Sequence, residues 1–164
     1  MTQEATSASP TGLARLAALV GAWTGTTRTR FTPDDAWDEC PVSAQFRWVA
    51  AGRFLLHEYD GRFQGEPAAG AVFYGYDEDQ RTYSALWVDS FHSGPAGMMS
   101  AGAETEDAVL SVSTTYGPAE APWGWHTVIR WEGPDEVVIQ SLNEPAGETA
   151  YVAIETRLLR AAAA

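Results

Sequence analysis

The sequence predicts an all-β fold, an antiparallel up-and-down barrel of about ten strands preceded by one short helix. Two observations carry this expectation. The hydrophobic period changes from 3.6 to 2 after residue 21 and does not change back. From there the chain divides into short segments rich in valine, threonine and aromatics, and tight turn sequences separate many of them. Long crossovers of the kind a Greek-key sandwich uses are few, and closing the sheet on itself removes exposed edges.

The helix is placed at 11–20, with Ser9-Pro10 or Thr11 capping its start and Gly21 ending it. Leu13, Leu16, Ala17 and Val20 fall on one face, a single apolar stripe suited to covering one mouth of the sheet. Strands are then expected at 23–31, 42–50, 53–63, 69–76, 81–91, 97–104, 108–116, 123–132, 136–143 and 149–160. Asp60-Gly61 reads as a bulge within a long ribbon, and Asp77-Glu78-Asp79-Gln80 and Glu106-Asp107 read as polar turns. Gly133-Pro134-Asp135 and Pro145-Ala146-Gly147 each close a hairpin. Residues 1–10 are read as a flexible N-terminus and residues 11–160 as one domain.

Composition narrows the function classes. The net charge is −12, all ten basic residues are arginine, and no basic patch of useful size can be assembled. Nucleic-acid backbones and anionic membrane surfaces are therefore disfavoured partners. The polar start, Met1 to Pro10, has neither a basic region nor an apolar run, so a cytoplasmic protein is expected. Cys40, the single cysteine, has no disulfide partner within the chain, and its setting before Pro41 reads as an acidic turn.

Three blocks carry a resemblance. Leu19-Val20-Gly21-Ala22-Trp23-Thr24-Gly25 is similar to the L-x-G-x-W-x-G opening of lipocalin-like bacterial barrels. Gly52-Arg53-Phe54-Leu55 with Glu58-Tyr59-Asp60-Gly61 forms a second block. Gly75-Tyr76-Asp77, Tyr83 and Trp87-Val88-Asp89-Ser90 form a third. In this order they resemble the bacterial family filed as domain of unknown function 1579, which implies a calycin or lipocalin-like barrel with a central cavity and implies no activity. The opening also resembles nitrobindin-like haem barrels, which hold iron on a late-strand histidine. The last strand here, Ala150 to Arg157, contains none, so no cofactor is expected.

Chemistry-bearing residues are sparse. His57, His92 and His126 stand far apart without metal-ligand spacing, so no metal site is expected. Ser90 and His92 share a face if the strand runs that far, but Asp89 then points away, and no nucleophile elbow or phosphate loop is present. Tyr83, Ala85, Trp87, Asp89 and Phe91 share one face, and either that face or its opposite points inward. Should the aromatic face line a cavity, Asp89 needs a partner, and Arg130 is the candidate. Trp23 fits the barrel floor better than a ligand role.

Seven tryptophans, six tyrosines and six phenylalanines exceed what one closed core of this size ordinarily uses. A ligand cavity and a homodimer face are the two places such residues go. The leading expectation is a protein that binds a small apolar or aromatic molecule in the barrel, with Trp48, His57, Tyr59, Trp87, Asp89, His126 and Arg130 as wall residues. A proton-transfer enzyme using His57 or Asp89 as base, and a filled barrel serving structure or dimerisation, are the alternatives.

Overall fold

The computed structural model describes residues 11–92 and 95–162, so the expected looseness of residues 1–10 lies outside the described residues. A short helix, α1 (Gly12–Ala17), leads into ten strands. These are β1 (Gly21–Thr29), β2 (Asp38–Val49), β3 (Phe54–Phe63), β4 (Glu66–Asp77), β5 (Thr82–Asp89), β6 (Met98–Ala103), β7 (Leu110–Tyr116), β8 (Trp123–Gly133), β9 (Glu136–Glu144) and β10 (Tyr151–Arg160). Each strand pairs antiparallel with its neighbours in sequence, and β1 pairs with β10 to close the barrel. The β6–β7 seam is the thinnest, held by the single register pair Ala101↔Ser113.

The L-x-G-x-W-x-G opening now has a physical reading. Leu19 is buried and its carbonyl accepts the Trp23 indole N–H at 2.8 Å. Gly21, at φ +135°, turns the chain from the helix into β1, a conformation that side chains rarely adopt. Gly25 lets β10 come close: a Cβ there would sit 1.8 Å from the Arg157 carbonyl oxygen. Trp23 closes the floor against Phe46 and Trp131 and carries the Arg160 guanidinium 4.3 Å above its ring.

α1 plugs this end. Thr11 caps it through the Ala14 N–H, and Leu16 and Leu19 enter the core beside Tyr83, Leu110 and Leu158. The helix is shorter than expected: it stops at Ala17, so the buried stripe passes to Leu19 and leaves Ala17 and Val20 exposed. Arg15 Nη1 donates to the Ala108 carbonyl at 2.9 Å, and Arg160 donates to the Ala18 and Val20 carbonyls at 2.9 Å each. The loops that follow β1, β3, β5, β7 and β9 lie at the opposite end.

Two local expectations are corrected. Asp60-Gly61 forms no bulge, because β3 pairs with β4 in unbroken register from Phe54↔Gly75 to Phe63↔Glu66. Cys40 lies within β2 rather than in a turn, opposite Thr27, and its thiol donates to the Arg62 carbonyl at 2.7 Å. Pro41 is tolerated there because β2 begins pairing with β3 only at Ser43, so no ladder hydrogen bond on that side needs its missing N–H.

Candidate functional site

Strand alternation sends one residue in two inward. Near α1 the inward side chains are large and meet, but above them small ones stand around the circuit: Ala44 on β2, Ala68 on β4, Ala85 on β5 and Ser100 on β6. The barrel is therefore filled at the helix end and hollow towards the other. The hollow is a cavity of about 120 Å³.

Its two sides differ in chemistry. On β3 to β5, His57, Tyr59, Tyr74 and Trp87 make an aromatic wall, continued by Trp125, whose ring stacks on Trp87 at 5.4 Å and 13°. The Trp87 indole N–H donates to the Tyr59 hydroxyl at 2.8 Å, which holds both rings in place. Across the cavity stand hydroxyls that satisfy one another, Thr27 with Thr156 at 2.9 Å and Thr127 with Ser141 at 3.3 Å.

His57 is the anomaly of the aromatic wall. It is 5% exposed, and neither ring nitrogen has a hydrogen-bond partner. Its ring lies flat on Phe46, with centroids 4.1 Å apart, and faces Tyr74 at 6.3 Å. Removal from water pushes its pKa down to about 3, so the imidazole is neutral and carries one donor and one acceptor. Burial likewise raises the Tyr59 and Tyr74 phenols far above their ordinary value, so both stay protonated.

At the mouth, Asp89 accepts the Phe91 backbone N–H at 3.1 Å through Oδ1, and its Oδ2 lies 2.8 Å from His92 Nδ1. The His92 ring is held between Trp87 at 5.8 Å, Phe63 at 5.6 Å and Phe91 at 4.8 Å. Its Nε2 is buried without a partner. Phe31, Phe63 and Phe91 cluster on this rim, with Phe31 and Phe91 about half exposed.

Of the residues expected to form the wall, His57, Tyr59, Trp87 and Asp89 come together in the cavity. That places the Tyr83–Asp89 face of β5 inward, while Phe91 lies beyond the strand on the rim. Trp48 packs against the core towards the filled end. On β8, Trp125, Thr127 and Ile129 are the inward set, so alternation turns His126 and Arg130 to the outer surface. There His126 pairs with Glu144 at 2.7 Å. The residue beside Asp89 is thus His92 and not Arg130. His92 is absent from the expected wall because the sequence presents it only as a lone histidine without metal-ligand spacing and as a strand neighbour of Ser90. The available signal was an aspartate three residues ahead of a histidine where a strand ends, the spacing at which a carboxylate reaches back to the turn. Among the described residues, no group of three or more His, Cys, Asp or Glu side chains is arranged to hold a metal ion. No helix of the described residues is long and apolar enough to cross a membrane.

Comparison with known proteins gives a family and a fold. The sequence model of the family described as "Protein of unknown function (DUF1579)" matches residues 13–160. None of the curated proteins matches the chain. Among solved structures, Rv2717c from M. tuberculosis is similar with a TM-score of 0.64 at 17% identity, covering 92% of this chain and 98% of that one. The S-type phycobiliprotein lyase CPES from Guillardia theta is similar with a TM-score of 0.58 at 12% identity, covering 94% of this chain and 95% of that one. At such identities the likeness is one of fold.

Proposed function

The chain belongs to the DUF1579 family, whose description assigns no activity, and we propose from its cavity that it binds a small, largely apolar, single-ring molecule. The observation that carries this reading is His57, a neutral imidazole buried in an aromatic wall with both nitrogens unpaired. Leaving a buried polar group unsatisfied costs about 1–3 kcal/mol, and a filled barrel would have an apolar residue there. A bound molecule with a hydrogen-bonding atom removes that cost. The cavity, at about 120 Å³, is close to the scale at which an apolar protein cavity of about 150 Å³ takes up benzene. The stiff rings of Tyr59, Trp87 and Trp125 give a planar ligand faces to stack on, with few rotors to freeze. The likeness in fold to a phycobiliprotein lyase is compatible with a barrel that works on or around a small molecule, and adds no more than that.

Native mass spectrometry of the purified protein, followed by mild denaturation, tests the reading. A stoichiometric ring compound of a few hundred daltons or less, or uptake of added phenol that Ala85→Leu abolishes while the fold is kept, supports it. An empty protein that also ignores phenol, indole and benzene derivatives overturns it.

A further inference from the structure

Asp89 and His92 form a dyad at the cavity mouth, in which Asp89 Oδ1 caps the turn after β5 through the Phe91 and His92 N–H groups and Oδ2 faces the His92 ring. We infer that His92 Nε2 is the acceptor for an acidic hydroxyl on the ligand, so that the molecule bound is a phenol-like ring seated with its hydroxyl towards the mouth. This inference rests on the proposed cavity function and assigns its ligand class.

The Asp89 carboxylate accepts a backbone N–H through Oδ1 and faces His92 Nδ1 through Oδ2, so it is an acceptor towards the ring. A neutral imidazole has one N–H, and that contact places it on Nδ1. Nε2 then presents a lone pair, and it is buried and without a partner in the cavity lining. Trp87, Phe63 and Phe91 fix the ring around it, so the lone pair has one orientation. A second orphan, His57, lies deeper in the same cavity.

Among the other charged or titratable groups lining the cavity, His57 also offers an unpaired acceptor but lies deeper, away from the Asp89 carboxylate, and the rest do not compete for the role. Arg62 is exposed and its guanidinium donates to the Gly65 carbonyl at 2.8 Å. Tyr59 and Tyr74 are protonated phenols. A ligand O–H directed at Nε2 forms a hydrogen bond in its neutral state. For a sufficiently acidic phenol the O–H bond breaks: the proton moves to Nε2, the electron pair stays on the phenolate oxygen, and the imidazolium is balanced by Asp89. Such a charge-assisted bond is stronger than a neutral one.

The probe is 4-nitrophenol, whose phenolate is yellow and whose neutral form is not. Titrated into the whole protein below the probe's own pKa, it should bind and turn yellow, with an apparent pKa at least one unit (tenfold) below that of the free probe. His92→Phe, which keeps a ring in the aromatic cage, and Asp89→Asn should still bind it but return the apparent pKa to or above the free value. Colourless binding by the wild-type protein, or equal colour in His92→Phe, overturns the dyad assignment and leaves the cavity reading standing. No binding of 4-nitrophenol or of any other ring compound removes both.

Discussion

His57 lies flat on Phe46, the rings 4.1 Å apart and within 6° of parallel, while both of its nitrogens face no hydrogen-bond partner. The stack is what an aromatic core residue would make, and the two nitrogens are what it would lack. His57→Phe keeps the stack and removes the orphaned atoms. It should therefore raise the stability of the unliganded protein by about 1–2 kcal/mol, since an unsatisfied buried polar group costs about 1–3 kcal/mol. Urea denaturation of the two proteins checks the sign, and the same variant should bind ring compounds with a polar substituent more weakly.

The same residue sets an acid-sensitivity window. Its pKa is lowered from 6.5 to about 3 by burial, so the unfolded chain binds its proton first. Stability is then complete above pH 6.5 and falls as pH drops towards 3, by roughly 1.4 kcal/mol per unit at most. Glu104 also has a lowered pKa, chiefly because it accepts the Tyr76 hydroxyl, but its loss begins only below 4.5. His57→Phe should hence flatten the stability profile between pH 6.5 and 4.5 and leave the steeper fall below it. Denaturation midpoints at half-unit pH steps show whether it does.

Gly70 is the space that the aromatic wall needs. A Cβ there would meet the Tyr59 hydroxyl at 2.2 Å and the Asp89 Cβ at 2.8 Å. Gly70→Ala should push Tyr59 off the Trp87 indole N–H, destabilise the fold by about 1–3 kcal/mol through overpacking, and reduce ring-compound binding more than it reduces stability. Calorimetric titration beside thermal denaturation separates the two effects.

Arg160 ties the plug to the barrel, since its guanidinium reaches the Ala18 and Val20 carbonyls and Asp135 while lying over Trp23. Arg160→Ala should lower stability by about 2 kcal/mol. Amide exchange at Arg15 to Leu19 should rise well before exchange in β8 and β9, a local loosening that mass spectrometry resolves.

The fold was legible because a barrel writes itself in local signals. Ten period-2 segments and the turns at Asp77–Gln80 and Gly133–Asp135 all recur in the structure. The helix length was not, because Leu13 to Val20 keep an apolar period through the turn that ends α1 at Ala17. Half of the site was legible as aromatic and polar residues of β3 and β5. The inward face of β5 was not, since Tyr83–Ala85–Trp87 and Ser84–Leu86–Val88 are both apolar enough to be buried, and closure of the barrel decides between them. Arg130 and His126 entered the expected wall on residue type alone. Their register with β9, Arg130↔Val138 and His126↔Leu142, is a property of pairing that one strand does not encode. Asp89 and His92 meet only because the chain turns after β5, which strand periodicity cannot anticipate.

The most direct test of the cavity reading is the nitrogen-15 spectrum of the histidine side chains during titration with phenol. Binding inside the barrel predicts saturable shifts of the His57 ring nitrogens, with His126 on the outer surface unmoved. Phenol that leaves the His57 resonances unchanged at concentrations that perturb surface residues would contradict it.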